Sequence, residues 1–134
     1  MKPIQKKYFR ILAIAPGTRG FGYAVLEAQD ILVDWGVKSA TGDKNKHSVA
    51  KVDEMIAHYQ PQLLVMENHL ATDSRRSPRI RKLTRQIIRF AKKEKVNVKL
   101  FARTEVRRVF FAVGEGTKHG VAEILAKRFP EELG

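Results

Sequence analysis

Two positions at the ends of apolar segments suggest chemistry at one edge of a β-sheet. Residues 8–15 form an apolar run that ends at Ala15, and residues 63–67 form a second run that ends at Glu67. If these runs are neighbouring parallel strands, both positions point at one crevice, where open α/β sheets usually bind ligands. A carboxylate in such a place is costly unless it is paired or bound to a metal ion. Glu67 is therefore a candidate metal ligand, with pairing to a nearby arginine as the simpler alternative.

The other carboxylates that a metal-dependent phosphate enzyme needs are missing from the same edge. Hydrolysis of a phosphodiester by two metal ions requires roughly three carboxylates around ions about 4 Å apart. Position 15 offers only the methyl group of Ala15, and the acids Glu131 and Glu132 follow a proline close to residue 134. We therefore expect this chain to be catalytically weak or inactive.

The glycine-rich stretch at residues 17–22 fits a turn between two strands. It lacks the Lys-Ser/Thr pair of a P-loop and precedes a strand rather than a helix, which excludes both P-loop and Rossmann motifs. Its glycines serve either a positive φ angle or the close approach of a phosphate, and both explanations stay open. Four histidines (His47, His58, His69 and His119) show no metal-ligand spacing.

The positive charge of the chain is concentrated in one segment. Residues 75–108 hold 14 lysines and arginines against two acids, so this segment alone carries the net charge of +12. A single basic block on an otherwise neutral protein is typical of proteins that bind a polyanion. The alternative, a basic helix face that only aids solubility, would more naturally mix both signs. We therefore predict contact with nucleic acid.

The order of apolar and polar segments predicts an α/β fold with a mixed sheet of five strands. Three strands over residues 8–15, 20–27 and 31–38 have short connections, which favours an antiparallel meander. Helices are predicted at 48–59, with Ser48 as N-cap, and at 78–94, with strands at 63–67 and 97–102. Two further helices are predicted at 104–110 and from 117 to about 129. A mixed sheet with helices on its faces packs these elements most simply.

Size and composition limit the class of protein. A chain of 134 residues predicts one domain, and its lack of cysteine excludes disulfides, thiolate zinc sites and a cysteine nucleophile. No apolar run reaches the ~18 residues of a membrane span, and the amino terminus lacks the apolar core of a signal peptide. We expect a cytoplasmic, nucleoid-associated protein with no membrane and no small-molecule substrate.

Three segments together resemble the RuvC family of Holliday junction resolvases, a branch of the RNase H-like superfamily. They are residues 11–19 with Gly22 and Tyr23, residues 64–67, and residues 106–108 continuing through 114–118. The similarity spans nearly the whole chain in the right order, and its first motif is fairly specific. The resemblance implies an RNase H-like sheet, with three antiparallel strands followed by two parallel ones and helices on both faces.

The resemblance also implies a function. The family uses Mg²⁺ or Mn²⁺ to cut branched DNA, preferably a four-way junction, as a homodimer. Its first catalytic aspartate falls at Ala15 and its second acid at Glu67, while its last two catalytic residues lie on a helix beyond Gly134. Basic contacts fall near Arg107 and Lys118. With the basic segment and nearby loops, the predicted nucleic-acid contacts are Thr18, Arg19, His69, Arg75, Arg76, Arg79, Arg81, Lys82, Arg85, Arg107, Arg108 and Lys118.

Several functions are consistent with these residues. The first is a structure-selective DNA endonuclease that is inactive because Ala15 replaces a carboxylate. The second is a non-catalytic nucleic-acid-binding module on the same fold, and the third is a nuclease of pre-ribosomal RNA from the same superfamily. An actin-like phosphotransferase would need a second lobe, for which 134 residues leave no room.

Overall fold

The strands and helices of the protein are set out in a computed structural model that describes residues 9–27, 31–68 and 77–101, apart from the side chains of residues 31 and 32. Within these ranges the elements are β1 (Arg10–Pro16), β2 (Gly20–Glu27), β3 (Ile31–Ser39), α1 (Lys44–Tyr59), β4 (Leu63–Glu67), α2 (Pro78–Lys93) and β5 (Asn97–Phe101). The helices predicted at 104–110 and from 117 onward lie outside the described residues. Neither α1 nor α2 is long and apolar enough to cross a membrane.

The sheet has the strand order β3-β2-β1-β4-β5. Strand β2 pairs antiparallel with both β1 and β3, whereas β4 pairs parallel with both β1 and β5. The predicted fold, three antiparallel strands followed by two parallel ones, is therefore confirmed. Strand β1 lies at the centre with a partner on each side, which explains why its sequence is almost continuously apolar.

Both described helices pack on one face of the sheet. Alternate residues of β1 and β4 point toward them, because successive side chains of a strand lie on opposite faces. The resulting core joins sheet residues Leu12, Ile14, Leu64 and Met66 to helix residues Val52, Ile56, Leu83 and Ile87. The intervening residues, among them Ile11 and Ala13, point to the opposite face and are also buried.

Local capping groups determine where the two helices begin. Ser77 accepts a hydrogen bond from the backbone N–H of Ile80 at 3.3 Å, and Pro78 occupies the first turn, so α2 begins where the sequence predicted. Helix α1 begins at Lys44 rather than near Ser48. The N-cap is Asp43, which accepts from the Lys46 N–H at 3.2 Å. The prediction of Ser48 as the N-cap was wrong, because this side chain is fully buried inside the helix.

A buried ion pair closes the opposite end of the central strands. Arg10, only 3% exposed, donates from Nη2 to a Glu27 carboxylate oxygen at 3.0 Å and from Nη1 to the Tyr59 carbonyl at 3.1 Å. The Arg10 backbone N–H donates to the Gln62 side chain at 2.8 Å. These bonds join β1, β2 and the end of α1, so this end of the sheet is structural and carries no free charge on Arg10 or Glu27.

One glycine of the β1–β2 turn is required by strand pairing. Gly20 has a φ of +149°, and a Cβ atom placed there would lie 2.0 Å from the Lys38 carbonyl oxygen of β3. At Gly17 the nearest atom to an added Cβ would be 3.9 Å away. At Gly20, positive φ and close packing of β2 on β3 therefore explain the residue without any bound phosphate.

We predict that Gly20→Ala lowers the free energy of unfolding by about 3 kcal/mol, because the backbone must move to relieve the clash and the strained φ. The matched variant Gly17→Ala changes it by no more than about 0.5 kcal/mol. Urea denaturation of both variants measures the difference. Equal effects of the two substitutions would contradict this account of the turn.

Candidate functional site

The strand pairing places Ala15 and Glu67 side by side. Strands β1 and β4 are parallel, and their register pairs Ala13 with Val65 and Ile14 with Met66. The next residues along the two strands are Ala15 and Glu67. Partners in a parallel ladder point to the same face, so both side chains lie on the face opposite α1 and α2, about 5 Å apart. The sequence-based expectation that these positions share one edge of the sheet matches this geometry.

The described residues do not supply a two-metal site. Glu67 is half-buried and is a carboxylate, but its neighbour is the methyl group of Ala15. Within residues 9–27, 31–68 and 77–101, no group of three or more His, Cys, Asp or Glu side chains could hold a metal ion. The described donors around Glu67 therefore do not make up the pair of cation sites that the RuvC resemblance implies. His69, expected in the same loop, lies outside the described residues.

The turn beside Ala15 is held by side chains from both helices. Lys44 of α1 donates to the Thr18 carbonyl at 2.9 Å, and Arg79 of α2 donates to the Gly17 carbonyl at 3.0 Å. The Arg19 carbonyl accepts from the backbone N–H of Ala40 at 2.8 Å. All three carbonyls of the turn are thus engaged. The side chains of Thr18 and Arg19 are exposed and remain predicted nucleic-acid contacts.

Arg79 has a structural role that its sequence position did not reveal. Its Nη1 donates to the side-chain oxygen of Asn45 at 3.0 Å, and the Asn45 amide donates to the Arg79 carbonyl at 3.1 Å. Asn45 is almost fully buried, so the pair joins the first turns of α1 and α2. With Nη2 on the Gly17 carbonyl, this arginine ties both helices to the end of β1. Contact of Arg79 with nucleic acid stays a prediction.

The outward side of α2 is an exposed basic surface, which we call the basic face. The helix packs on the sheet through Ile80, Leu83, Thr84, Ile87 and Ala91. Its exposed cations are Lys82, Arg85, Arg89, Lys92 and Lys93, and Arg81 is half-buried beside them. Among the described residues an ion pair joins Arg10 to Glu27, and none involves a cation of the basic face. Arg75, Arg76, Arg107, Arg108 and Lys118 lie outside the described residues.

The basic face and Glu67 lie on opposite sides of the sheet. Helix α2 covers the face of Met66, and Glu67, as the next residue of the strand, points to the other face. The two surfaces nevertheless meet at one edge, because Arg79 in the first turn of α2 touches the end of β1. From there the 16 residues of α2 extend away over about 24 Å.

The same architecture occurs in solved structures. A Thermus thermophilus RuvC structure aligns with a TM-score of 0.58 at 17% identity, over 94% of this chain and 81% of that chain. The T. thermophilus RuvC in complex with a Holliday junction substrate gives 0.59 at 18% identity, over 95% of this chain and 83% of that chain. The chain has an RNase H-like fold of the RuvC-like type. At this identity the likeness concerns the fold, and activity must be argued from the residues.

Other comparisons add little to the RuvC-like assignment. No protein-family model matches the chain, and no curated protein matches it. The HTLV-2 integrase catalytic core domain, solved in complex with magnesium in a dimeric form, aligns over 93% of this chain and 86% of that chain. Its TM-score of 0.37 and 5% identity are too low to inform the site at Glu67.

We predict that Ala15→Asp changes the response of the protein to divalent cations. Without a metal ion, the new carboxylate beside Glu67 lowers the melting temperature, because two like charges lie about 5 Å apart. With Mn²⁺ the loss is reversed, and Mn²⁺ binds the variant at least roughly tenfold more tightly than the original chain. Thermal unfolding and calorimetric titration test both effects.

A double variant provides the control for the cation experiment. Glu67→Gln in the Ala15→Asp background removes one of the two carboxylates and should abolish the gain in Mn²⁺ affinity. Equal Mn²⁺ binding by the original chain and the Ala15→Asp variant would show that the two positions do not share a cation site.

Proposed function

We propose that this chain is a RuvC-like nucleic-acid-binding protein that holds branched DNA and hydrolyses it weakly or not at all. The observation that carries the proposal is the basic face of α2, with five exposed cations and no described carboxylate paired to them. An uncompensated surface of this kind gains most from contact with a phosphate backbone, because binding releases the counterions of the nucleic acid.

The substrate class is drawn from the comparison with RuvC. The T. thermophilus RuvC of similar fold was solved with a Holliday junction. In this chain the basic face begins at the edge that holds Ala15 and Glu67 and extends away over about 24 Å. That length corresponds to roughly seven nucleotides along one strand of a duplex. A duplex arm lying on the basic face would therefore bring its end, or a branch point, to the edge of the sheet.

Weak or absent hydrolysis follows from the residues at that edge. Glu67 alone provides one carboxylate, whereas a metal-assisted displacement needs ligands that hold cations on both sides of the scissile phosphate. Among the described residues, no group of three or more His, Cys, Asp or Glu side chains could hold a metal ion. We assign to Glu67 and the β1–β2 turn the role of shaping the edge, and to the basic face the role of binding.

The homodimer implied by the RuvC resemblance has to use a surface other than the basic face. A symmetric contact through α2 would bring Arg85 and Arg89 of one copy against the same residues of the other. Like charges at close range oppose such a contact. The basic face is therefore assigned to nucleic acid, and dimerisation to another part of the chain.

Substrate preference is tested by a competition titration. A labelled four-way DNA junction is bound in the presence of Mg²⁺ and challenged with excess linear duplex of the same sequence or with structured RNA. We expect the junction complex to survive both competitors. If duplex competes equally, binding is a general response to phosphate and branched DNA is not the substrate. If RNA competes better, the pre-ribosomal-RNA alternative is favoured.

The role of the basic face is tested with two variants of equal net charge. Arg85→Gln with Arg89→Gln removes two cations from the basic face, and Lys51→Gln with Lys99→Gln removes two cations that lie away from it, toward β3 and on β5. We expect the first pair to weaken junction binding by roughly tenfold or more and to reduce the slope of log K against log salt by about 2. The control pair should change the junction affinity and the salt dependence much less. Equal losses would mean that net charge, not the α2 surface, drives binding.

A further inference from the structure

Two large apolar side chains are exposed on the edge strand of the sheet. Among the described residues, the exposed large hydrophobic side chains are Trp35, 52% exposed, and Val37, 73% exposed. Both belong to β3, which lies at one edge of the strand order. As they are two residues apart, they point to the same face of the sheet. The exposed tryptophan and valine together form a small apolar patch, and exposed apolar patches can mark binding sites.

The strand register places this pair on the face that carries Glu67. Val37 pairs with Gly22 of β2, and Gly22 pairs with Ala15 of β1. Partners in these ladders share a face, and Glu67 lies beside Ala15 on the same face. Trp35 and Val37 therefore stand on the candidate site's side of the sheet, away from α1, α2 and the basic face.

Small residues lie on the sheet surface between the exposed pair and Glu67. Gly22 and Ala15, both half-buried, lie between Val37 and Glu67, whereas Ala24, the partner of Trp35, is fully buried. With strands about 5 Å apart, Val37 lies about 10 Å from Ala15 and about 15 Å from Glu67. Gly22 carries no side chain, which leaves room for a flat group beside Val37 and the tryptophan ring. We call Trp35, Val37 and Gly22 the Trp35 platform.

The backbone beside Trp35 is already engaged, which argues against addition of a strand from another chain. The Trp35 N–H donates to Asp34 Oδ1 at 2.9 Å. Asp34 Oδ2 accepts from the hydroxyl groups of Tyr23 at 3.1 Å and Tyr59 at 2.5 Å, which fixes the carboxylate. Burial disfavours the charged form of Asp34, yet the hydrogen bonds that it accepts outweigh that cost and lower the pKa of this carboxyl.

Charge identifies the partner of the platform. A second copy of the chain would bring another net charge of +12 to this surface, whereas a nucleic acid brings the opposite charge. The exposed Arg19 stands at the β1–β2 turn next to Ala15 and Gly22, and can meet a phosphate that follows the base. Aromatic side chains beside cations are the usual platform for single-stranded nucleic acid, because every base offers a face for stacking.

We propose that the Trp35 platform stacks an unpaired base of the nucleic acid that reaches the Glu67 edge. The inference rests on the proposed function, since the basic face supplies the backbone contact that brings the strand to the edge. It adds a second site, on the other face of the sheet, that recognises a single-stranded or unstacked segment rather than duplex.

Trp35 is the single tryptophan of the chain, so its fluorescence reports on the platform directly. The full chain is titrated with a short oligothymidylate and, separately, with a blunt duplex. We expect the oligothymidylate to quench the emission and the duplex to bind with little quenching. In a binding assay that does not use tryptophan, Trp35→Leu should weaken oligothymidylate binding by roughly tenfold and leave duplex binding unchanged, while Trp35→Phe keeps most of the affinity.

The outcomes separate this inference from the proposed function. Tight binding of nucleic acid without quenching would contradict base stacking on the Trp35 platform. An equal loss of duplex affinity and single-strand affinity in Trp35→Leu would contradict it as well. Either result leaves the proposed binding by the basic face unaffected. Absence of any nucleic-acid binding would overturn the proposed function itself. A concentration-dependent blue shift of the emission without nucleic acid, with dimers in sedimentation that Trp35→Leu abolishes, would assign the platform to a second copy.

Discussion

The parallel pairing of β1 with β4 is the constraint on which the other features depend. Because side chains alternate along both strands, one set (Leu12, Ile14, Leu64 and Met66) meets the helices and the other set points away. A shift of one residue in this register would exchange the two sets, expose the core and bury Glu67 under α2. The burial of the first set therefore determines where Ala15 and Glu67 lie.

The same register divides the molecule into two surfaces of different chemistry. On the helix side, α2 turns its apolar residues to the core and its cations to solvent. On the other side, small residues lie between Glu67 and the exposed Trp35. Arg79 connects the two, since it belongs to α2 but holds the turn at the end of β1. In the proposed complex, a nucleic acid that bends around this edge contacts both surfaces at once.

Local signals in the sequence predicted much of the fold. Ser77 and Pro78 fix the start of α2 by capping, and the apolar runs of β1 and β4 identify central strands without knowledge of their partners. The start of α1 was missed because a serine inside a helix and a serine at its start look alike in sequence. Asp43 is the N-cap because its carboxylate accepts a hydrogen bond from the Lys46 N–H.

The candidate site was only partly predictable, because much of it depends on contacts distant in sequence. Ala15 and Glu67 could be anticipated from strand ends, but the bond from Arg79 to Gly17 joins residues 62 positions apart. The face on which Trp35 lies depends on the pairing of β3 with β2, which includes an irregularity between Val25 and Leu26. Such a bulge shifts the alternation of side chains between the two faces by one residue, and no local pattern in the sequence predicts it.

The proposed binding of nucleic acid along the basic face can be tested directly with an introduced thiol. Since the chain has no cysteine, an introduced thiol is unique and its alkylation rate reports local protection. Arg89→Cys places a thiol on the basic face, and Ala57→Cys places one on an exposed position of α1. If nucleic acid lies along the basic face, a four-way junction should slow alkylation strongly at position 89 and leave the rate at position 57 unchanged. Equal rates with and without the junction at position 89, in a complex shown to be fully formed, would contradict it.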